Sequence, residues 1–94
     1  MTSPPRGQYE RSPNAAATTV GDRVVLYHRL SRTAVVLNPT AGWMWERLDA
    51  SRTAADLVGD LRQRYPSLSL EDAARDVEAF LADLDRHALV LLRS

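Results

Sequence analysis

At Asn38-Pro39 the hydrophobic pattern of this chain changes period, and that switch limits the folds open to it. Before it, apolar residues come in short β-branched runs; after it, they recur at helical spacing. Ala15–Asp22 is small and partly β-branched, and it predicts a short edge strand closed by the Gly21-Asp22 turn signal. Arg23–Leu30 and Thr33–Leu37 predict two more strands, joined as an antiparallel hairpin by a tight turn at Ser31-Arg32. Asn38 suits an N-cap, and Pro39 suits the first helical position, where its missing N–H is no loss. Ala41, Met44, Trp45 and Leu48 then share one helical face, with the helix ending near Asp49-Ala50. On that register Trp45 is buried and Trp43 more exposed.

Two further helices follow. Thr53 and Asp56 form a capping box, and Leu57, Val58, Leu61 and Tyr65 line the inner face up to Pro66. Ser69 and Asp72 repeat the device for a third helix reaching about His87. Its apolar stripe is Leu70, Ala73, Ala74, Val77, Phe80, Leu81, Leu84 and Ala88, and Leu89–Leu92 is an apolar tail that packs back on the core. Strands first and helices after predict an α+β domain, a three-stranded antiparallel sheet followed by three helices. That order resembles a winged helix.

The chain has 94 residues, enough for one small domain. Residues 1–14 hold three Pro, a Gly and almost nothing apolar, so they are expected to be a disordered tail ahead of a domain over 15–94. Tyr9 in that tail reads as a solvated side chain or an interaction handle. Cys is absent, which excludes disulfides, thiolate metal sites and a Cys nucleophile. Neither a membrane-spanning run nor a secretory signal is present, and together with the missing Cys this predicts a cytoplasmic protein that does not engage membranes.

Catalysis needs convergent titratable groups. The two His, His28 in a strand and His87 in the last turn of the third helix, have no metal-ligand spacing, and no Gly-rich phosphate loop exists. Six acids around the third helix read as a solvated face rather than an acid–base pair. No cofactor, metal or catalytic residue is expected. Nucleic-acid binding requires clustered basic residues, whereas formal net charge is zero and residues 70–88 sum to −4. A winged-helix DNA-binding regulator is therefore kept only as the alternative from another class.

The strand Thr33–Leu37 is short and apolar, and neither Lys nor Pro protects it. Such an edge is either covered by another element of the domain or receives a partner strand.

Three stretches carry a resemblance. Val35-Val-Leu-Asn-Pro-Thr-Ala-Gly-Trp-Met-Trp45 resembles the strand-to-helix junction of the PqqD family. Leu48-Asp-Ala-Ser-Arg-Thr53 is similar to that family's aspartate-to-Arg-Thr turn, with Ala50 where Gly is usual. Asp76–Leu84 and His87-Ala-Leu-Val90 resemble its last helix and closing Gly-Leu-Val, with Ala88 in place of Gly. The likeness spans roughly residues 15–92.

The resemblance implies a recognition element for ribosomally made, modified peptides. It implies a non-catalytic adaptor that binds the precursor's leader as an added strand, in a groove closed by the third helix. Small free-standing members act in lasso-peptide pathways beside a leader peptidase and a macrolactam cyclase, and this short chain looks closest to those. A carrier from another modified-peptide pathway is the alternative within the family. On this reading the backbone of Thr33, Ala34, Val35, Val36 and Leu37 pairs with the leader. The flanking stripe Asp72, Arg75, Asp76, Ala79 and Asp83 lines the groove, with Asp76 and Asp83 meeting leader Lys or Arg. Ala79 admits the peptide or is simply a tolerated surface residue; Arg75 meets a leader carboxylate or pairs with Glu71 or Asp72 on its own helix.

Overall fold

The computed structural model describes residues 7–93. Its elements run β1 (Gln8–Arg11), β2 (Ala15–Val20), β3 (Arg23–His28), β4 (Ala34–Leu37), α1 (Pro39–Arg47), β5 (Arg52–Thr53), α2 (Ala54–Arg64), α3 (Leu70–Arg86) and β6 (Val90–Arg93). All strand pairs are antiparallel. They form two three-stranded sheets, β2-β3-β4 and β5-β1-β6. The α+β class and the sheet preceding three helices are as expected. The second sheet is an addition that the sequence reading lacked.

That second sheet corrects the expected tail over 1–14. Within its described part, Gln8–Arg11 pairs with all four residues of β6 and with both residues of β5. Glu10 accepts from Arg93 Nε at 2.8 Å and from Ser51 Oγ at 2.9 Å. Tyr9 packs against the core rather than standing in solvent. The stretch has little apolar content of its own, but its backbone groups are satisfied by strands more than 40 residues away. Residues 1–6 of the expected tail lie outside the described residues. The apolar tail at Leu89–Leu92 is the partner: it is mostly strand, with Leu89 and Val90 buried and Leu91 and Leu92 exposed.

Local signals account for the rest. Gly21, at φ +64°, occupies the first central position of the two-residue turn between β2 and β3, a geometry that Gly adopts without steric penalty. The β3–β4 connection is wider than the expected Ser31-Arg32 turn. His28 N–H donates to Thr33 O at 3.0 Å, so four residues, Arg29–Arg32, span the gap. His28 sets that width. It is buried, and its Nδ1 accepts from the N–H groups of Leu30 and Ser31, each at 3.2 Å.

Asn38 caps α1 by accepting from Ala41 N–H at 2.8 Å. Gly42 lets α1 lie close on β3, since a Cβ there would meet Val24 Cγ2 at 3.3 Å. Thr53 and Asp56 complete a reciprocal capping box at α2, and Ser69 caps α3 through Asp72 N–H. The inward faces meet in one core, in which Leu26, Leu57, Leu61 and Leu84 are wholly buried. Trp45 is 4% exposed, and Trp43 is only partly buried.

Four residues assigned inward point elsewhere. Tyr65 sits at the end of α2, Leu70 opens α3 in solvent, and Ala74 and Ala88 are exposed. Ala88 lies past the helix end at φ +56°. Its N–H bonds to Asp85 O and the Leu89 N–H to Leu84 O, which is the Schellman arrangement with Ala in the left-handed position. No helix among the described residues is long and apolar enough to cross a membrane.

Candidate functional site

β4 is an edge. It pairs with β3 on one side, and no described strand pairs with the other. The register is Val24↔Leu37, Val25↔Val36, Leu26↔Val35 and Tyr27↔Ala34, and the His28–Thr33 hydrogen bond fixes its phase. Antiparallel pairs alternate between bonded and non-bonded. Val35 and Leu37 therefore direct N–H and C=O at β3, as Thr33 does its C=O, whereas Ala34 and Val36 direct N–H and C=O into open space. Side chains alternate as well: Leu37 is 4% exposed in the core, and Val36 is 62% exposed.

Beside this edge runs a groove of about 570 Å³ between β4, α1 and α3. Asn38 turns the chain straight from β4 into α1, so Thr40, Ala41 and Met44 lie against the end of the strand. Across from them, Asp76, Ala79 and Asp83 occupy neighbouring positions on one side of α3. Buried Met44, Phe80 and Leu84 form an apolar floor. The rim is polar, with Asp76 at one end and Asp83 and Arg86 towards the other. Arg86 Nη1 stands 3.5 Å from Asp83 Oδ1 in an exposed pair, which contributes little energy. Ala79 adds no bulk to the wall.

Of the residues singled out from sequence, Val36, Leu37, Asp76, Ala79 and Asp83 line this groove. Ala34 and Val35 continue the same strand away from it, and Thr33 immediately precedes that strand. Asp72 lies in an adjoining hollow of about 340 Å³ with Thr40, Tyr65, Ser67, Leu68 and Asp76. Arg75 lines neither; it is exposed and pairs with Asp72 at 3.4 Å. The sequence reading missed the α1 wall (Asn38, Thr40, Ala41, Met44) and, on α3, Phe80, Ala82, Leu84 and Arg86. The direct Leu37-Asn38-Pro39 junction was the available signal for the α1 wall, because a helix that starts where a strand stops must lie beside its end.

Neither His belongs to the groove. His28 closes the β3–β4 loop. His87 ends α3, with Nδ1 donating to Asp83 O at 2.8 Å. Among the described residues, no group of three His, Asp or Glu is placed to hold a metal ion. The arrangement offers unpaired backbone donors and acceptors, an apolar floor and an acidic rim, the features that take up an extended peptide as an added strand.

The model of the family described as "Coenzyme PQQ synthesis protein D (PqqD)" matches residues 23–90, a span that includes β3, β4 and all three helices. Two solved structures share the fold. TbiB1 in complex with the TbiA(beta) leader peptide is similar at 23% identity and TM-score 0.76, over 86% of this chain and 93% of that one. Lasso peptide synthetase B1 complexed with the leader peptide is similar at 25% identity and TM-score 0.75, over 88% of this chain and 96% of that one. Comparison with curated proteins gives no match.

Proposed function

The chain belongs to the PqqD family, and from that premise we propose that it binds the leader of a ribosomal precursor peptide as a fourth strand on β4. The observation that carries the reading is the open β4 edge beside an apolar-floored groove. Outward backbone groups of Ala34 and Val36 pair with the leader. Thr33, Val35 and Leu37 hold that edge in register through their bonds to β3. Alternate leader side chains drop onto Met44, Phe80 and Leu84, and Asp76 and Asp83 receive leader Lys or Arg. Both similar structures are named as leader-peptide complexes, which supports the same ligand class here. The lasso-peptide pathway is the one the second of those names favours.

The protein is an adaptor and not an enzyme. Holding the leader raises the local concentration of the core peptide at a processing peptidase and a cyclase, and this requires no chemistry of its own. It works in the cytoplasm, where precursor peptides are made. The DNA-binding alternative finds no usable helix, because α3 carries six acids against two Arg.

The experiment is titration of the isotope-labelled protein with a synthetic leader from a precursor encoded beside this gene. Amide shifts concentrated at residues 33–37 and 76–86 are expected. Ala79→Trp, which fills the groove, should weaken binding at least tenfold, about 1.4 kcal/mol. Shifts confined to α2 or to β1 would overturn the reading.

A further inference from the structure

Strand addition through backbone groups leaves a question of register. A peptide that slides two residues along β4 keeps the same side chains facing the groove and remakes its main-chain bonds. Something beyond the paired segment must fix its position.

The hollow next to the groove has that placement. It shares two walls with the groove, Thr40 and Asp76, so the two cavities adjoin where β4 passes into α1. Its remaining walls are the Tyr65 ring, Leu68, Ser67 and Asp72. Asp76 is in no ion pair among the described residues. Asp72 meets only Arg75, at 3.4 Å, in a pair that is 76% and 56% exposed and therefore weak and easily exchanged. Arg64 sits 5.8 Å from the Tyr65 ring but lines neither cavity. At the far end of the groove Asp83 has Arg86 beside it at 3.5 Å, in a pair as exposed and exchangeable as Asp72–Arg75, whereas Asp76 has no cation to displace among the described residues. Of Asp72, Asp76 and Asp83, only Asp76 can thus be reached by a peptide cation without exchanging an existing pair.

We propose that this hollow is a register-setting subsite that takes one Lys or Arg side chain of the bound peptide, just beyond the segment paired with β4. The stem of that side chain lies along Tyr65 and Leu68, and its cationic head meets Asp76 and Asp72. This rests on the strand-addition reading above, since the same peptide must occupy both cavities. A two-residue slip moves the cation about 7 Å, out of reach of both carboxylates. The walls shared with the groove supply the occupant, and the unpaired Asp76 supplies its chemistry.

The test uses a display library of random 16-residue peptides, selected separately against the wild-type protein and against Asp72→Asn and Asp76→Asn. Wild-type winners should share an extended apolar stretch and a Lys or Arg at one fixed spacing from it. The Asn variants should keep the stretch and lose the fixed basic position. A synthetic winner should then bind wild type at least tenfold more tightly than its Lys→Gln or Arg→Gln twin, and that difference should shrink severalfold on Asp76→Asn. Asp76 is exposed in the middle of α3, so this variant keeps the test standing if Asp72→Asn weakens the helix start. Winners that shift β4 amides but carry no fixed basic residue would overturn the subsite and leave strand addition intact. An unchanged Gln penalty on Asp76→Asn would do the same. If no winner shifts β4 amides, the strand-addition reading fails, and the subsite with it.

Discussion

The Arg11 guanidinium lies 4.6 Å from the centroid of the Trp45 ring, and its Nη2 donates to the Trp45 carbonyl at 2.6 Å. One side chain thus ties β1 to α1, 34 residues on. The contact stacks a delocalised cation on an aromatic face and gives a second donor to a carbonyl in the last turn of α1, which also accepts from Leu48 N–H at 3.1 Å. Arg11→Ala should lower stability by about 1–3 kcal/mol in urea denaturation. Arg11→Lys should recover less than half of that, because an ammonium cannot both stack flat and reach the carbonyl. A melting curve for Arg11→Ala that overlays wild type would show that β1 is held by its strand bonds alone.

Ala88 offers a gain instead. At φ +56° it occupies the left-handed region, which costs an L-residue roughly 1–2 kcal/mol and Gly nothing. Gly takes back part of the difference through its freer unfolded chain. Ala88→Gly should therefore stabilise the domain by about 0.5–1 kcal/mol and raise the melting temperature by several degrees. It leaves the groove untouched, so leader affinity should not change. Equal or lower stability would mean that the Schellman turn relaxes around Ala at no cost.

These two residues mark what the sequence disclosed. The hairpin strands, the three caps at Asn38, Thr53 and Ser69, and the switch at Pro39 are local signals, written within a few residues of where they act. The second sheet is not local. Gln8 pairs with Arg93 and with Thr53, and a four-residue strand without apolar alternation carries no sign of such partners. In the groove, Asp76, Ala79 and Asp83 follow from the family resemblance laid on the helical spacing of α3, and Val36 from the resemblance alone. Thr40, Ala41 and Met44 depend on how closely α1 approaches β3, which is set by the bare Cα of Gly42 against Val24. Packing distance of that kind leaves no periodic trace in the sequence.

His28 separates a structural role from a catalytic one. Its ring accepts from two backbone N–H groups in the β3–β4 loop. His28→Ala leaves both without that partner and should destabilise the domain by about 1–2 kcal/mol. In a reconstituted pathway, processing per molecule of bound leader should stay at the wild-type level, and the same holds for His87→Ala. A folded His variant that binds leader normally and blocks processing would contradict the adaptor reading.

Proline placed along β4 tests the binding mode residue by residue. The Val36 N–H points away from β3, whereas the Val35 N–H belongs to the β3–β4 ladder. Pro removes one donor and is tolerated in edge strands where that donor faces outward. Val36→Pro should leave the hairpin folded and weaken leader binding at least tenfold, about 1.4 kcal/mol. Val35→Pro breaks a ladder bond instead, and it should destabilise the whole domain by about 1–3 kcal/mol. Val36→Thr is the control. It alters the exposed side chain, keeps the N–H, and should bind leader within about twofold of wild type, well under 1 kcal/mol. Calorimetric titration gives the affinities, and amide spectra of the free variants show which retain β4. If Val36→Pro binds like wild type with its spectrum intact, the leader does not bond to that strand. If Val36→Thr loses as much affinity as Val36→Pro, the edge is read through its side chains and not its backbone.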